Sequence, residues 1–215
     1  MSIRRRLAIG AGLFLLGTGV LLQVLSLRRS PGREEDIGET LRALETRGGD
    51  AAARALVDIA SRHPERADEA ALRLSRLDGR EAPGALLEIL RDSRVDPRLR
   101  TAAARALGRA RLLAASHALM VHARSDNIEI RAAALEALGL LGDSASAAAV
   151  SAALDDPDPR VRRAAIKALG NLRSEDATKA LERFLAGPPP PEEGEAALAR
   201  RSLAALRGEE PSKRF

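Results

Sequence analysis

Cysteine, tryptophan and tyrosine are absent from this chain of 215 residues, and phenylalanine occurs three times, as Phe14, Phe184 and Phe215. Without cysteine there are no disulfides, no thiolate chemistry and no lipidated cysteine anchor, which fits a reducing or an oxidising compartment equally. The scarcity of aromatics removes the side chains that hold an extruded base or stack on a single strand. No glycine-rich phosphate loop, nucleophile elbow or serine–histidine arrangement is present either. Positive charge is in excess, at a formal +5, but residues 1–29 hold five arginines and no acidic residue. Residues 30–215 therefore balance 30 basic against 30 acidic groups, and no nucleic-acid binding is expected of them.

Long uncharged runs are also missing, with one exception. Leu7–Leu27 carries no charge and lies between Arg4, Arg5, Arg6 and Arg28, Arg29. At 1.5 Å per residue it extends about 31 Å, the thickness of a bilayer core. Residues 1–29 are expected to form a signal anchor with one transmembrane helix over residues 7–27. A cleaved signal would need a small-x-small site, which Val24-Leu25-Ser26 supplies poorly. Arginines flank the run on both sides and, with the amino terminus, lean slightly towards a cytoplasmic N-terminus. The remainder would then face the periplasm from a bacterial inner membrane. Residues 30–34, with Ser30-Pro31-Gly32, read as a linker.

The rest of the chain repeats itself. Val161, Ala164, Ala165, Ala168, Leu169 and Leu172 form one stripe of an amphipathic helix. The stripe returns 31 residues earlier as Ile130, Ala133, Ala134, Ala137, Leu138 and Leu141, and again as Leu99, Ala102, Ala103, Ala106, Leu107 and Ala110. Gly108, Gly139 and Gly170 keep the period, as do Arg100, Arg131 and Arg162. Self-similarity at this spacing predicts a helical solenoid. Helix pairs are expected near 35–46 with 50–61, 66–77 with 81–91, 97–110 with 112–124, 128–141 with 144–154, and 159–172 with 175–186. Asp96, Asn127 and Asp158 stand at the N-caps of the repeating helices. Pro188 to Pro191 stop the array. A last helix over about 193–207 is expected as a cap, ahead of a disordered tail at 208–215.

Asp158, Pro159, Val161, Arg162, Ala165, Ala168, Leu169 and Gly170, with parallel positions in the two preceding repeats, resemble the short HEAT-like repeats of phycobilisome lyases and many bacterial proteins. The resemblance implies an all-α fold, a right-handed α-solenoid of about five HEAT-like helix pairs over residues 35–207 with a C-terminal capping helix, here preceded by one transmembrane helix. Proteins of this type are mostly scaffolds or adaptors, so a protein partner is expected and no catalytic residue, cofactor or small-molecule substrate. A lyase-like accessory subunit of an enzyme complex is the alternative, although bilin ligation fits poorly with a membrane anchor and an almost aromatic-free groove. The deoxyhypusine hydroxylases, also built of HEAT-like repeats, use His-Glu pairs. Here His63, His117 and His122 are followed by Pro64, Ala118 and Ala123, so no metal site is expected.

Two sets of residues stand out for interaction. Arg100, Arg131 and Arg162, each four residues after Asp96, Asn127 or Asp158, read as a structural ladder tying repeats together, with a phosphate- or acid-binding ladder as the alternative. The glycine series is expected to let the second helix of each pair cross closely, or to end the first helix in a left-handed residue. On the second helices, which line the concave face in this architecture, Leu87, His117, Met120, Val121 and Ser151 are the candidates for a shallow partner groove; the alternative is that they are core.

Overall fold

The computed structural model describes residues 34–77, 81–188, 192 and 194–208. The expected membrane span at 7–27, the first four residues of the linker, residues 78–80 and residues 209–215 lie outside the described residues. No described helix is long and apolar enough to cross a membrane.

The chain divides into two compact units after Arg47, a boundary inside the range read from the sequence as one array. In the first, the described part is α1 (Glu34–Arg47), on which Leu41 and Leu44 are buried. The second unit holds α2 (Gly49–Arg62), α3 (Ala67–Leu74), α4 (Glu81–Arg91), α5 (Pro97–Arg109), α6 (Ser116–His122), α7 (Ile128–Leu141), α8 (Ala147–Ser151), α9 (Pro159–Leu172), α10 (Glu175–Ala186) and α11 (Glu195–Arg207). Single 3₁₀ turns precede α3, α6 and α8, and another follows α8 at Ala152–Asp155. Among the described residues the fold is an all-α solenoid of stacked helices.

Its helices form two layers. In one, α3, α5, α7, α9 and α11 pack side by side in that order; in the other lie α2, α4, α6, α8 and α10. The starts of α5, α7 and α9 are fixed locally. Asp96 and Asp158 accept the backbone N–H of Arg98 and Arg160 at 2.8 Å, and Asn127 accepts that of Ile130 at 3.1 Å. Such caps each contribute about 1 kcal/mol. Their ends recur as well: Arg111, Gly142 and Arg173 all take left-handed backbone, with φ of 50°, 71° and 47°.

The repeating stripe is buried throughout except at Ala110, which is exposed as the C-cap of α5. A further series, Ala104, Leu135 and Ile166, is wholly buried although it lies outside the stripe. Each of α5, α7 and α9 is flanked by two neighbours in its own layer and covered by the other, so burial extends well around its circumference. The pairing also differs from the expected one. Helix α4 packs on α5, and α6 packs on α7; each structural pair joins a helix of the second layer to the helix of the first layer that follows it. A period is the same wherever counting starts, so the sequence repeat left this phase open.

Gly108, Gly139 and Gly170 mark the contacts within the long-helix layer. A Cβ on Gly108 would lie 2.5 Å from Ala137 Cα, one on Gly139 2.7 Å from Ala168 Cα, and one on Gly170 2.9 Å from Ser202 Cβ. The glycines therefore admit the next long helix. They neither admit the second helix of the same pair nor occupy the left-handed position, which falls three residues later.

Candidate interaction surfaces

The arginines of the long helices reach from one inter-helix loop to the next. Arg131 Nη1 donates to the carbonyls of Ser125 and Asp126, at 2.8 and 3.1 Å, in the loop before its own helix. Its Nε and Nη2 grip both carboxylate oxygens of Asp156, in the following loop, at 2.9 and 3.0 Å. Arg162 repeats the first half of this clamp on the carbonyls of Asp156 and Pro157. Its Nε then lies 3.1 Å from both oxygens of Glu195, the first residue of α11 and wholly buried. Arg100 departs from the series: its Nε donates to the Leu90 carbonyl at 3.2 Å, at the end of α4. The acidic caps engage the start of their own helices instead of these arginines, Asp158 forming an ion pair with Arg160. Hydrogen bonds from Arg160 hold the Asp158 carboxyl below the usual carboxylate range.

Glycine spacing and arginine clamps thus both act between neighbouring repeats, and the last junction shows what α11 is. It supplies Ser202 where another repeat would supply alanine, and Glu195 where another would supply Asp156. In packing terms α11 is a further long helix. Arg200, Arg201 and Arg207 face solvent from it, with Arg207 reaching Glu182 at 2.5 Å.

The short-helix layer is less tightly closed. Between α2 and α4 a cleft of about 510 Å³ is lined by Val57, Ser61, Ala85, Glu88, Asp92 and Arg94 among others. Asp92 is held there by Arg94, whose side-chain and backbone hydrogen bonds push its pKa down to about 2. Between α8 and α10 a second cleft, of about 570 Å³, is lined by Ala148, Ser151, Lys179, Glu182 and Arg183 among others. Helix α6 lies between the two. It presents His117 and Val121 to solvent, Val121 at 57% exposure, with Met120 half-buried.

The five groove candidates therefore do not form one groove. Ser151 lines the α8–α10 cleft, His117 and Val121 stand exposed on α6, and Leu87 and Met120 are half-buried. None is core. Residues of the α2–α4 cleft that the sequence did not single out, Val57 and Glu88, lie where α2 and α4 face each other. The 3₁₀ turns before α6 and α8, Leu113–Ala115 and Ser144–Ser146, are 31 residues apart, so the two helices keep their register and differ in the side chains they carry there, Met120 and Val121 against Ser151 and Ala152.

On the long-helix face, a third cleft of about 440 Å³ crosses three repeats, with Asp68, Arg98, Thr101, Arg105 and Glu129 among its walls. Ion pairs bridge the repeats there, Arg105 to Asp68 and Glu136 at 3.8 and 3.5 Å and Arg160 to Glu129 at 2.6 Å. Among the described residues no group of three or more histidine, aspartate or glutamate side chains could hold a metal.

Residues 117–200 match HEAT repeats, a stretch that opens on α6, in keeping with the structural pairing of α6 and α7. No curated protein matches the chain. Among solved structures, the complex of CpcE and CpcF of phycocyanin lyase from Nostoc sp. PCC7120 is similar at 25% identity and a TM-score of 0.59, over 73% of this chain. The chain spans 65% of the length of that relative. A designed armadillo repeat protein in complex with the peptide (KR)4 aligns at 16% identity over 87% of this chain and 98% of its own, with a TM-score of 0.55. An engineered protein aligns at 22% identity over 88% and 97%, with a TM-score of 0.52. The last two likenesses concern the fold alone.

Proposed function

We propose that this HEAT-repeat chain is a scaffold that docks a protein partner on its short-helix layer around α6, is held at a membrane by residues 7–27, and performs no chemistry of its own. The observation that carries the docking surface is Val121. It is a large apolar side chain, more than half exposed, on a helix flanked by small and neutral residues of α8 and by charged clefts further out. Contiguous exposed apolar surface rimmed by polar side chains marks contact sites, and Val121 with the neighbouring half-buried Met120 supplies such surface on α6. The likeness to one half of a two-protein complex supports the same reading. Placement in a bacterial inner membrane, with the repeats on the periplasmic side, rests on the charge pattern around residues 7–27. The alternative, a lyase-like accessory subunit, draws on the same likeness and would be favoured by a bilin bound to the purified protein.

The test is site-specific photocrosslinking in intact membranes from position 121, with position 163 on the long-helix layer as the control. A discrete adduct from 121 is expected at least tenfold above that from 163, and lost in the companion variant Met120→Glu. Equal labelling from both positions, or an adduct indifferent to Met120→Glu in a normally folded protein, would sink the proposal.

A further inference from the structure

At two junctions the repeating arginine meets a carboxylate, and at one it does not. Arg131 holds Asp156 and Arg162 holds Glu195. The residue in the register of Asp156 one repeat earlier is Ser125, so the repeat offers Arg100 a hydroxyl where it offers its successor an acid. Among the described residues Arg100 has one hydrogen bond, from Nε to the Leu90 carbonyl, and no ion pair. No buried side-chain polar atom of the described residues lacks a partner, so the open Nη groups of Arg100 reach solvent.

The surroundings favour an anion. Arg91, exposed in the last turn of α4, makes no side-chain hydrogen bond or ion pair among the described residues, and His122 ends α6 with its carbonyl accepting the Ser125 N–H at 3.0 Å. Burial, then the charges of Arg100 and Arg91, hold His122 below its ordinary range. The acid that senses Arg100, Asp92, is already gripped by Arg94 through both oxygens, at 3.0 and 2.8 Å. The Ser125 hydroxyl accepts the Asn127 N–H at 3.3 Å and keeps its own proton to donate.

We infer that the junction of Arg100 with Ser125 is a docking point for a carboxylate side chain of the protein partner, taking the place that Asp156 fills one repeat later. Arg100 would grip the two oxygens through its Nη groups, with Ser125 donating beside it, because a planar guanidinium matches a carboxylate in this way. The inference deepens the scaffold reading and rests on it: an acidic residue of the partner would complete a ladder that the chain leaves open.

The probe is fluorescein-labelled tetraglutamate, titrated onto the full-length protein in a non-ionic detergent at low salt and followed by anisotropy. Saturable binding is expected, absent for labelled tetraglutamine and weakened at least tenfold by Arg100→Gln. Ser125→Asp should weaken it equally while raising the melting temperature, since the acid then comes from within. The proposal is overturned if tetraglutamate does not bind, or binds both variants like the parent. It is overturned too if inorganic phosphate displaces the peptide at equal carboxylate and phosphate concentrations, which would mark a general oxyanion site. The assay needs no partner, so loss of the crosslink from position 121 and loss of peptide binding are independent results.

Discussion

Two kinds of residue bear on how closely the repeats stack, and they respond oppositely to the same atom. At Gly139 a methyl group would meet the backbone of Ala168 at 2.7 Å, where nothing flexible can yield. Gly139→Ala is expected to cost about 1–3 kcal/mol by overpacking. At Arg173, with φ of 47°, a side chain sits where Cβ is crowded by the following carbonyl. Arg173→Gly is expected to gain up to about 1 kcal/mol, the relief of left-handed strain less the entropy of a freer unfolded chain. Urea denaturation of the two variants checks both signs. Gly108, Gly139 and Gly170 were visible in the sequence as a constraint recurring every 31 residues, but their role was not. A repeated glycine records that a side chain is forbidden without recording whether space or torsion forbids it. The left-handed positions at Arg111 and Arg173 gave no signal at all, because arginine is not the residue such torsions select.

At the scale of helices, α11 is fastened by a buried ion pair, side-chain exposures being 7% for Arg162 and zero for Glu195. Removing one partner strands the other charge in a dry place, so Glu195→Ala is expected to cost about 3–5 kcal/mol. The double replacement Arg162→Met with Glu195→Leu should restore most of it. Measuring melting curves of both, with hydrogen exchange to see whether α11 alone is released, tests the assignment. Helix existence was legible here because caps, stripes and glycines agreed. The second buried series, Ala104, Leu135 and Ile166, was not, since a stripe reports the face with the most contacts and says nothing of a helix covered on three sides. The candidate surface was legible in part: residues of α6 were named, whereas Val57 lies on α2, outside the stretch in which the 31-residue period recurs.

For the molecule as a whole, charge is distributed unevenly along the chain. The basic excess lies in residues 1–29, and residues 30–215 balance their charges. If residues 7–27 hold the protein at the membrane by burial of a spanning helix, alkaline carbonate should leave the intact chain in the membrane pellet and release a variant lacking residues 1–29. Release of the intact chain by carbonate or high salt would instead point to a peripheral attachment. The architecture was the most legible level of all, because one period recurs through three units and a repeating signal accumulates where a single motif would not.

The seat that receives α11 is made of an arginine donor and a bare glycine backbone, and α5 and α7 each carry the same two residues in the same register. Nothing in that seat is peculiar to α9. Tandem duplication of a 31-residue unit upstream of Arg162 would lengthen the array and hand the terminal helix an unchanged berth. The number of units is thus separable from how the array is finished, and lineages of this chain could grow or shorten their span without inventing a new end.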